Sequence, residues 1–140
     1  MQKDTSEMLV ELQGCADFNR FYHENEDQVI KTTLAQYLEN LLEVHALKKA
    51  DVIRRAEMST VYGYQIFSGL RVPERKKLLS IAIGMGLALD EVQTLLKISG
   101  YAQLYVKLPF DCALIYGICK RMSVAQINFL LYDYGLETLG

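Results

Sequence analysis

The sequence is poor in residues that cross-link or interrupt a fold. Its 140 residues include two prolines, three cysteines and no tryptophan. Because the cysteines form no CxxC pair, we expect small buried apolar side chains at Cys15, Cys112 and Cys119. The most apolar run, residues 78–89, is shorter than the roughly 20 residues of a spanning helix. The N-terminal residues also lack a signal-peptide stretch. We therefore expect a cytoplasmic protein with no membrane partner.

The sequence also has little net charge. A formal charge of −2 argues by itself against a nucleic-acid binder, which is usually basic. The distribution of charge changes this conclusion. Residues 1–44 hold three basic and nine acidic side chains, residues 45–77 eight and three, and residues 78–140 four and five. The chain therefore consists of an acidic segment of −6, a basic segment of +5 and a nearly neutral segment of −1.

Hydrophobic residues make up 51% of the chain and recur mostly at the helical period. Thr33, Ser59 and Ser123 stand where N-caps are needed, and glycines stand where helices would end. Pro73 and Pro109 stand where a helix would begin. The pattern predicts an all-α fold of nine short helices and no strand, at about residues 5–14, 16–24, 33–46, 49–57, 59–68, 73–85, 89–99, 109–120 and 123–134.

The sequence contains an internal repeat. When the chain is shifted by 35 residues, residues 79–104 align with residues 114–139, and six of the 26 pairs are identical. Two explanations stay open. Amphipathic helices that end in glycine resemble one another, or a helix pair is repeated and packs beside its twin. Under either explanation, the C-terminal 30 residues have the pattern of structural packing.

The region from His45 to Pro73 predicts two short helices joined by a tight turn, and more than half of the positive charge lies around it. Apolar residues stand where they would pack the two helices together, and a capping serine and a closing Gly, Arg and Pro follow at set spacings. The residues of this pattern are Ala46, Leu47, Val52, Ile53, Met58, Ser59, Ile66, Gly69, Arg71 and Pro73. It resembles the helix–turn–helix of the phage-repressor, Cro-like (XRE) family of transcriptional regulators, and the resemblance covers residues 34 to about 96.

Several positions depart from the family pattern. Ile53 replaces an alanine, Glu57 replaces a small residue, and Gly63 replaces an apolar residue of the second motif helix. Phe67 replaces a glutamate that pairs in many members with an arginine, whose position is occupied here by Leu42. Because both halves of that ion pair are apolar here, we predict that Leu42 and Phe67 pack together.

The resemblance implies a lambda-repressor-like bundle in which the helix after Ser59 enters the major groove of double-stranded DNA. It assigns base reading to Thr60, Val61, Tyr62 and Gln65, and phosphate contacts to Lys49, Tyr64, Ser68 and Arg71. Glutamine can pair with adenine, while threonine and valine can touch a thymine methyl. The two tyrosines could equally be packing or protein-contact residues. Three further cations could be solvated or bind phosphate, namely Arg75, Lys76 and Lys77.

The predicted organisation has three parts. An acidic N-terminal helical arm (1–30) precedes the repressor-like helix–turn–helix domain (31–104), and a C-terminal helical pair (105–140) packs on that domain. The first interpretation is a bacterial, sequence-specific DNA-binding transcriptional regulator, for which the resemblance implies a homodimer. The alternative is a protein–protein interaction adaptor that keeps the fold without binding DNA. Its partner would bind through the acidic arm or the C-terminal helices, and Gly63 and the small net charge favour it.

Motifs for catalysis and cofactor binding are missing from the sequence. His23 and Glu24 resemble the start of a zinc-protease HExxH motif, but Asp27 stands where the second histidine is required. Gly84 and Gly86 do not form a dinucleotide-binding motif, because the third glycine is replaced by Leu89. We therefore expect no enzyme, no catalytic residues, no metal and no cofactor.

Overall fold

The computed structural model describes residues 3–28 and 32–140 and divides into two compact units, Met1–Lys31 and Thr32–Gly140. The all-α prediction is confirmed, since the described residues form nine α-helices, one 3-10 turn (Glu26–Gln28) and no strand. None of these helices is both long and apolar enough to cross a membrane. The helices are α1 (Thr5–Gly14), α2 (Phe18–Glu24), α3 (Leu34–Val44), α4 (Lys49–Arg55), α5 (Thr60–Ser68), α6 (Arg75–Met85), α7 (Leu89–Ile98), α8 (Pro109–Cys119) and α9 (Val124–Asp133).

The first unit is a small helical hairpin of α1 and α2. Asp4 caps α1 by accepting a hydrogen bond from the Glu7 N–H at 2.7 Å. Asn25 is fully buried, and its amide nitrogen donates to the Phe21 carbonyl at 2.9 Å and to the Glu11 carboxylate at 3.1 Å. Phe21 is the buried apolar side chain among the described residues of this unit. Hydrogen bonds therefore hold this unit as much as apolar burial does.

The second unit is built around one hydrophobic core that all seven of its helices share. Helix α4 packs on α5 and α6, α3 packs on α5 and α7, and α9 packs on α6 and α8. The C-terminal pair α8–α9 therefore contributes to the same core as the helices before it. The most deeply buried large side chains of this shared core are Leu38, Val52, Ile66, Leu78, Leu79, Ile81, Leu95, Leu96, Leu114, Ile127, Leu131 and Leu139.

The same turn joins the helices of four pairs in the second unit. One turn residue has a φ between 52° and 69°, and the next residue is apolar. The N–H of that apolar residue donates to the carbonyl five residues earlier, as in a Schellman motif. The N-cap of the following helix comes directly after it. The turn residues with positive φ are Ala46, Glu57, Gly86 and Arg121.

The sequence repeat corresponds to a repeated structure, in which α6–α7 is followed by α8–α9 at a shift of 35 residues. The Leu104 N–H donates to the Gln93 side chain at 2.7 Å, and the Leu139 N–H donates to the Asn128 side chain at 2.7 Å. Gln93 and Asn128 are themselves 35 residues apart, as are the two leucines. Similar helix ends alone do not account for this repeated contact, which favours the explanation of a repeated helix pair.

Two local predictions are wrong. The three cysteines are exposed, because the inward face of α8 is occupied by Leu114 and Ile118 while Cys112 and Cys119 lie on its outer side. Pro73 does not begin α6, since Glu74 is the N-cap and the helix starts at Arg75. Pro73 is instead buried, and its carbonyl accepts a hydrogen bond from the Tyr101 hydroxyl at 2.6 Å.

Candidate nucleic-acid interface

Helices α4 and α5 form the helix–turn–helix unit at which the sequence places DNA binding. Val52 and Ile53 are buried on α4, and Ile66 and Phe67 are buried on α5. The Ser59 side chain caps α5 by accepting a hydrogen bond from the Tyr62 N–H at 3.2 Å. At its other end, α5 stops at a glycine with a φ of 84°. Local capping and two apolar stripes therefore set the length and the inward face of α5.

The two helices lie close together at Gly63. A Cβ atom at this position would lie 2.6 Å from Cγ1 of Ile53, well inside van der Waals contact. The isoleucine side chain of α4 thus occupies the space that a side chain on α5 would need. Gly63 allows this close approach because it carries no side chain. The two departures from the family pattern at Ile53 and Gly63 are consequently in contact with each other.

Leu42 and Phe67 lie in the same core, 6% and 2% exposed. Their helices, α3 and α5, pack against each other. Where the Cro-like pattern has a charged ion pair, this chain has two apolar side chains, and both are shielded from water.

The outward face of α5 carries some of the predicted base-reading residues. Thr60 is exposed, and Val61, one residue further on, is 69% exposed. Gln65 is half-buried, and Tyr62 is half-buried because it packs against the core. The structure therefore brings Thr60 and Val61 together on the surface at the beginning of α5. Tyr62 lies between that surface and the core.

The predicted phosphate-binding residues near the end of α5 form a small hydrogen-bonded group. Arg71 Nε donates to the Gln65 side-chain oxygen at 3.0 Å, and its backbone N–H donates to the Gln65 carbonyl at 3.2 Å. The Ser68 hydroxyl donates to that same carbonyl at 3.0 Å. Tyr64 is 43% exposed on the outer side of the helix. The Gln65 side chain is therefore held in one orientation by the arginine that follows the helix.

Half of the eight basic side chains in residues 45–77 are engaged by carboxylates. Lys49, at the beginning of α4, pairs with Glu39 of α3 at 2.5 Å. The other pairs are Arg54–Asp51, Arg75–Asp111 and Lys76–Glu137. Within the described residues, Lys48, Arg55, Arg71 and Lys77 have no carboxylate partner. The positive field of this segment is therefore smaller than its formal charge indicates.

Two of the three additional cations pair with C-terminal carboxylates, Arg75 with Asp111 of α8 and Lys76 with Glu137 after α9. Arg75 donates to both carboxylate oxygens of Asp111 at 3.1 Å, and to the backbone carbonyls of Ala102 and Gln103. Asp111 is 2% exposed and also accepts a hydrogen bond from the Tyr105 N–H at 2.9 Å. Sequence reasoning missed this buried pair, because its partners are 36 residues apart and no local pattern joins them.

Two exposed apolar residues follow α5 and were also missed. Leu70 is 75% exposed and Val72 is 79% exposed, in the short connection to α6. The signal that could have revealed them is the apolar character of a connection bounded by Gly69 and Pro73. These side chains add apolar surface beside Arg71.

A separate apolar groove of about 530 Å³ lies on the outer side of the C-terminal pair. Tyr116 of α8 and Tyr134, which follows α9, line it and are 51% and 73% exposed. No charged residue is among those that line it, which are Pro109, Cys112, Ala113, Tyr116, Leu130, Tyr134 and Leu136. The lining of this groove is therefore apolar and partly aromatic.

In the described part of the chain, no group of three His, Cys, Asp or Glu side chains is arranged to hold a metal ion. The chain matches no protein-family model, no curated protein and no solved structure.

Proposed function

We propose that this protein is a sequence-specific DNA-binding transcriptional regulator of the bacterial cytoplasm that reads the major groove with α5. The observation that carries the proposal is the division of α5 into two faces. Gly63, Ile66 and Phe67 are buried against the rest of the unit, whereas Thr60 and Val61 project from its N-terminal end. A recognition helix presents base-reading side chains at this end. The resemblance of this segment to the Cro-like helix–turn–helix supports the same conclusion.

The exposed side chains have the chemistry that this role requires. Val61 and the methyl group of Thr60 suit a thymine methyl, and the amide of Gln65 suits the N6 and N7 edge of adenine. Gln65 is oriented by Arg71, which keeps its amide nitrogen free to donate to a base. Tyr62 serves chiefly in packing, because it is half-buried against the core. Tyr64 and Ser68 are exposed and suit phosphate contacts.

Phosphate binding at the beginning of α4 requires an exchange of partners. Lys49 is paired with Glu39. On binding DNA, its ammonium group would leave this carboxylate and pair with a DNA phosphate. The two side chains are 37% and 49% exposed, and exposed pairs of this kind are weak, worth roughly 0–1 kcal/mol. This exchange of partners therefore costs little free energy. In a homodimer, two copies of α5 would read two half-sites about one helical turn apart.

Fluorescence anisotropy tests the proposal, using duplexes first enriched from a random pool by binding to the protein. We expect an affinity that falls steeply with salt concentration, because bound lysine and arginine release counterions from DNA. Lys49→Glu should weaken binding to every duplex, whereas Gln65→Ala should weaken binding to the selected sequence and relax preference at one base position. The control is Lys97→Glu, the same charge change at an exposed residue of α7. Equal losses for Lys49→Glu and Lys97→Glu would contradict the assigned roles.

The second candidate is a protein–protein interaction adaptor with the same fold. Two observations favour it: four of the eight basic side chains near the motif are paired with carboxylates, and the C-terminal pair carries an apolar groove. Exposed apolar surface of this kind is typical of protein contacts. Absence of DNA binding at low salt by the folded wild-type protein would favour the adaptor.

A further inference from the structure

A second positively charged feature lies outside the predicted base-reading residues, beside the turn that leads into α5. It is a cleft of about 410 Å³ between the turn that joins α4 to α5 and the turn that joins α8 to α9. Arg54 and Arg55 line it from the end of α4, Glu57 lines it from the first turn, and Arg121 lines it from the second. Three guanidinium groups and one carboxylate give this cleft a formal charge of +2. We refer to it as the arginine cleft.

The guanidinium groups of the arginine cleft retain many free donors. Within the described residues, Arg55 has neither an ion pair nor a hydrogen bond from its side chain, and it is exposed. Arg121 donates once, from Nη1 to the Gly86 carbonyl at 2.8 Å. Arg54 touches Asp51 at 3.2 Å but remains 70% exposed. Each guanidinium carries five N–H donors in a planar fork, so most of these donors are available to a ligand.

A nearby acid, Glu91, forms no direct ion pair with Arg121 among the described residues. Glu91 interacts electrostatically with it, but both carboxylate oxygens of Glu91 are engaged elsewhere. One accepts a hydrogen bond from the Ala88 N–H at 3.0 Å, and the other lies 2.7 Å from Nε2 of His45. Arg121 therefore keeps a positive charge that no directly bonded carboxylate offsets among the described residues.

The backbone at Arg121 has the conformation of the equivalent residue in the other turns. Its φ is 58°, a conformation that side-chain-bearing residues adopt rarely. The equivalent residue of the preceding helix pair is Gly86, with a φ of 69°. A glycine at position 121 would therefore be less strained than the arginine. Ala46 and Glu57 have the same conformation in equivalent turns, so the positive φ is a property of the shared turn, and at Arg121 this turn places an arginine at the cleft.

We propose that the arginine cleft binds a phosphate group, with Arg55 and Arg121 donating to its oxygens from opposite sides. Arginine is suited to this ligand because its planar fork matches two phosphate oxygens at once. The cleft is next to the turn that leads into α5, so the phosphate can belong to the backbone of DNA bound by that helix. This source rests on the proposed function; a free phosphorylated small molecule is the other source of the same chemistry.

Two measurements on the full chain test the proposal and separate the sources. In the first, DNA affinity and its salt dependence are compared for wild type, Arg55→Gln, Arg121→Gln and the control Lys97→Gln. We expect each arginine variant to lose roughly tenfold in affinity on every sequence and to reduce the salt slope by about one. Arg121→Gly is a second variant for this position, because glycine suits its positive φ and preserves the turn. Circular dichroism checks that each variant is folded.

In the second measurement, pyrophosphate is titrated while the Nε–H resonances of the arginines are followed by NMR. We expect shifts at Arg55 and Arg121 and none at Arg20, which pairs with Glu24 in the first unit. If wild type binds DNA but both arginine variants behave like Lys97→Gln, the arginine cleft does not contact the DNA backbone and the proposed function stands. If wild type binds no DNA but pyrophosphate shifts both arginines, the proposed function fails and the cleft binds a free phosphate group. The cleft proposal is overturned if the arginine variants lose no DNA affinity and pyrophosphate shifts neither Arg55 nor Arg121.

Discussion

A Cβ atom at Gly63 would lie 2.6 Å from Cγ1 of Ile53, so a glycine of α5 receives the isoleucine side chain of α4. The C-terminal pair contains the same relationship in reverse, since a Cβ atom at Gly117 of α8 would lie 2.5 Å from Cγ1 of Ile127 of α9. In both pairs the two residues stand four before and six after the turn residue with positive φ. The small and the large residue can therefore exchange helices at this contact without changing the turn.

Filling the space at Gly63 should destabilise the protein. Gly63→Ala forces its Cβ into the Ile53 side chain, so we expect a loss of about 1–3 kcal/mol in the free energy of unfolding. This loss opposes the roughly 1 kcal/mol that alanine gains in helix propensity. Urea denaturation followed by circular dichroism measures the change. Gly14→Ala is the control, because nothing lies within 4 Å of that Cβ position.

The contact between these two residues also predicts non-additivity. Ile53→Ala alone should cost about 2–5 kcal/mol by leaving a cavity. The double variant Ile53→Ala with Gly63→Val moves the large side chain to the other helix, as in the family pattern. It should cost clearly less than the sum of the single changes. Strict additivity would show that the two side chains do not share this space.

The buried pair of Arg75 and Asp111 should hold α6 to α8. Asp111→Ala leaves the guanidinium of Arg75 and the N–H of Tyr105 without their acceptor, and we expect a loss of about 3–5 kcal/mol in the free energy of unfolding. Replacing both members, as Arg75→Met with Asp111→Leu, should recover a large part of that loss. Denaturant titration monitors both variants.

The exposed pair of Lys76 and Glu137 provides the comparison. Glu137 is 84% exposed, so Glu137→Gln should leave the denaturation midpoint unchanged. A loss as large as that of Asp111→Ala would contradict the view that burial distinguishes these two pairs.

The repeated side-chain contact predicts a graded response. Gln93 both accepts from the Leu104 N–H and donates to the Leu104 carbonyl, whereas Asn128 accepts from the Leu139 N–H. Each alanine substitution leaves the backbone of a buried leucine unsatisfied, at a cost of about 1–3 kcal/mol. Gln93→Ala should cost more than Asn128→Ala, because it removes two hydrogen bonds.

Thermal denaturation measures this difference, with Gln103→Ala as the matched control at an exposed position. Hydrogen exchange gives a second measure, since the amide of Leu104 should lose protection in Gln93→Ala. An unchanged exchange rate there would contradict the assigned role of Gln93.

Glu91 makes the stability of the second unit depend on pH. Burial acts to raise the pKa of this carboxyl, but the hydrogen bond from the Ala88 N–H, the contact with His45 and the charges of His45 and Arg121 lower it overall, below its ordinary value of 4.5. The unfolded chain therefore takes up the proton first as the pH falls. The stabilisation by the Glu91 carboxylate is fully present above pH 4.5. It is lost as the pH falls below 4.5 and through the lower pKa of the folded state.

Urea midpoints measured from neutral to acidic pH test this assignment. The difference between wild type and Glu91→Gln should be present above pH 4.5 and should shrink as the pH falls below that value. Asp90→Asn, a neighbouring exposed carboxylate on the same helix, is the control. A difference that does not change with pH would show that Glu91 acts by packing alone.

Much of the secondary structure could be predicted from the sequence because its signals are local. Thr33, Ser59 and Ser123 cap the helices that follow them, each by accepting a hydrogen bond from an N–H three residues later. Gly69 and Gly135 have the positive φ expected beyond a helix end. Cysteine burial could not be predicted in the same way, because it depends on which face of α8 meets the core.

The candidate site was predictable only in outline. Spacing placed Thr60 and Val61 at the beginning of α5, where they are exposed. It did not reveal that Tyr62 turns partly into the core or that Lys49 pairs with Glu39. Each of these outcomes depends on another helix approaching the residue, and no pattern within α5 carries that information.

By itself the sequence determined an all-helical chain, the caps and turns of its helices and the separation of its charge into an acidic and a basic segment. Only the tertiary structure decided which of the basic side chains remain free. Arg75 and Lys76 meet Asp111 and Glu137, residues 36 and 61 positions away, whereas Arg55 meets no carboxylate among the described residues. The physical reason is that an ion pair forms between groups a few ångströms apart in space, and folding sets that distance independently of their separation along the chain.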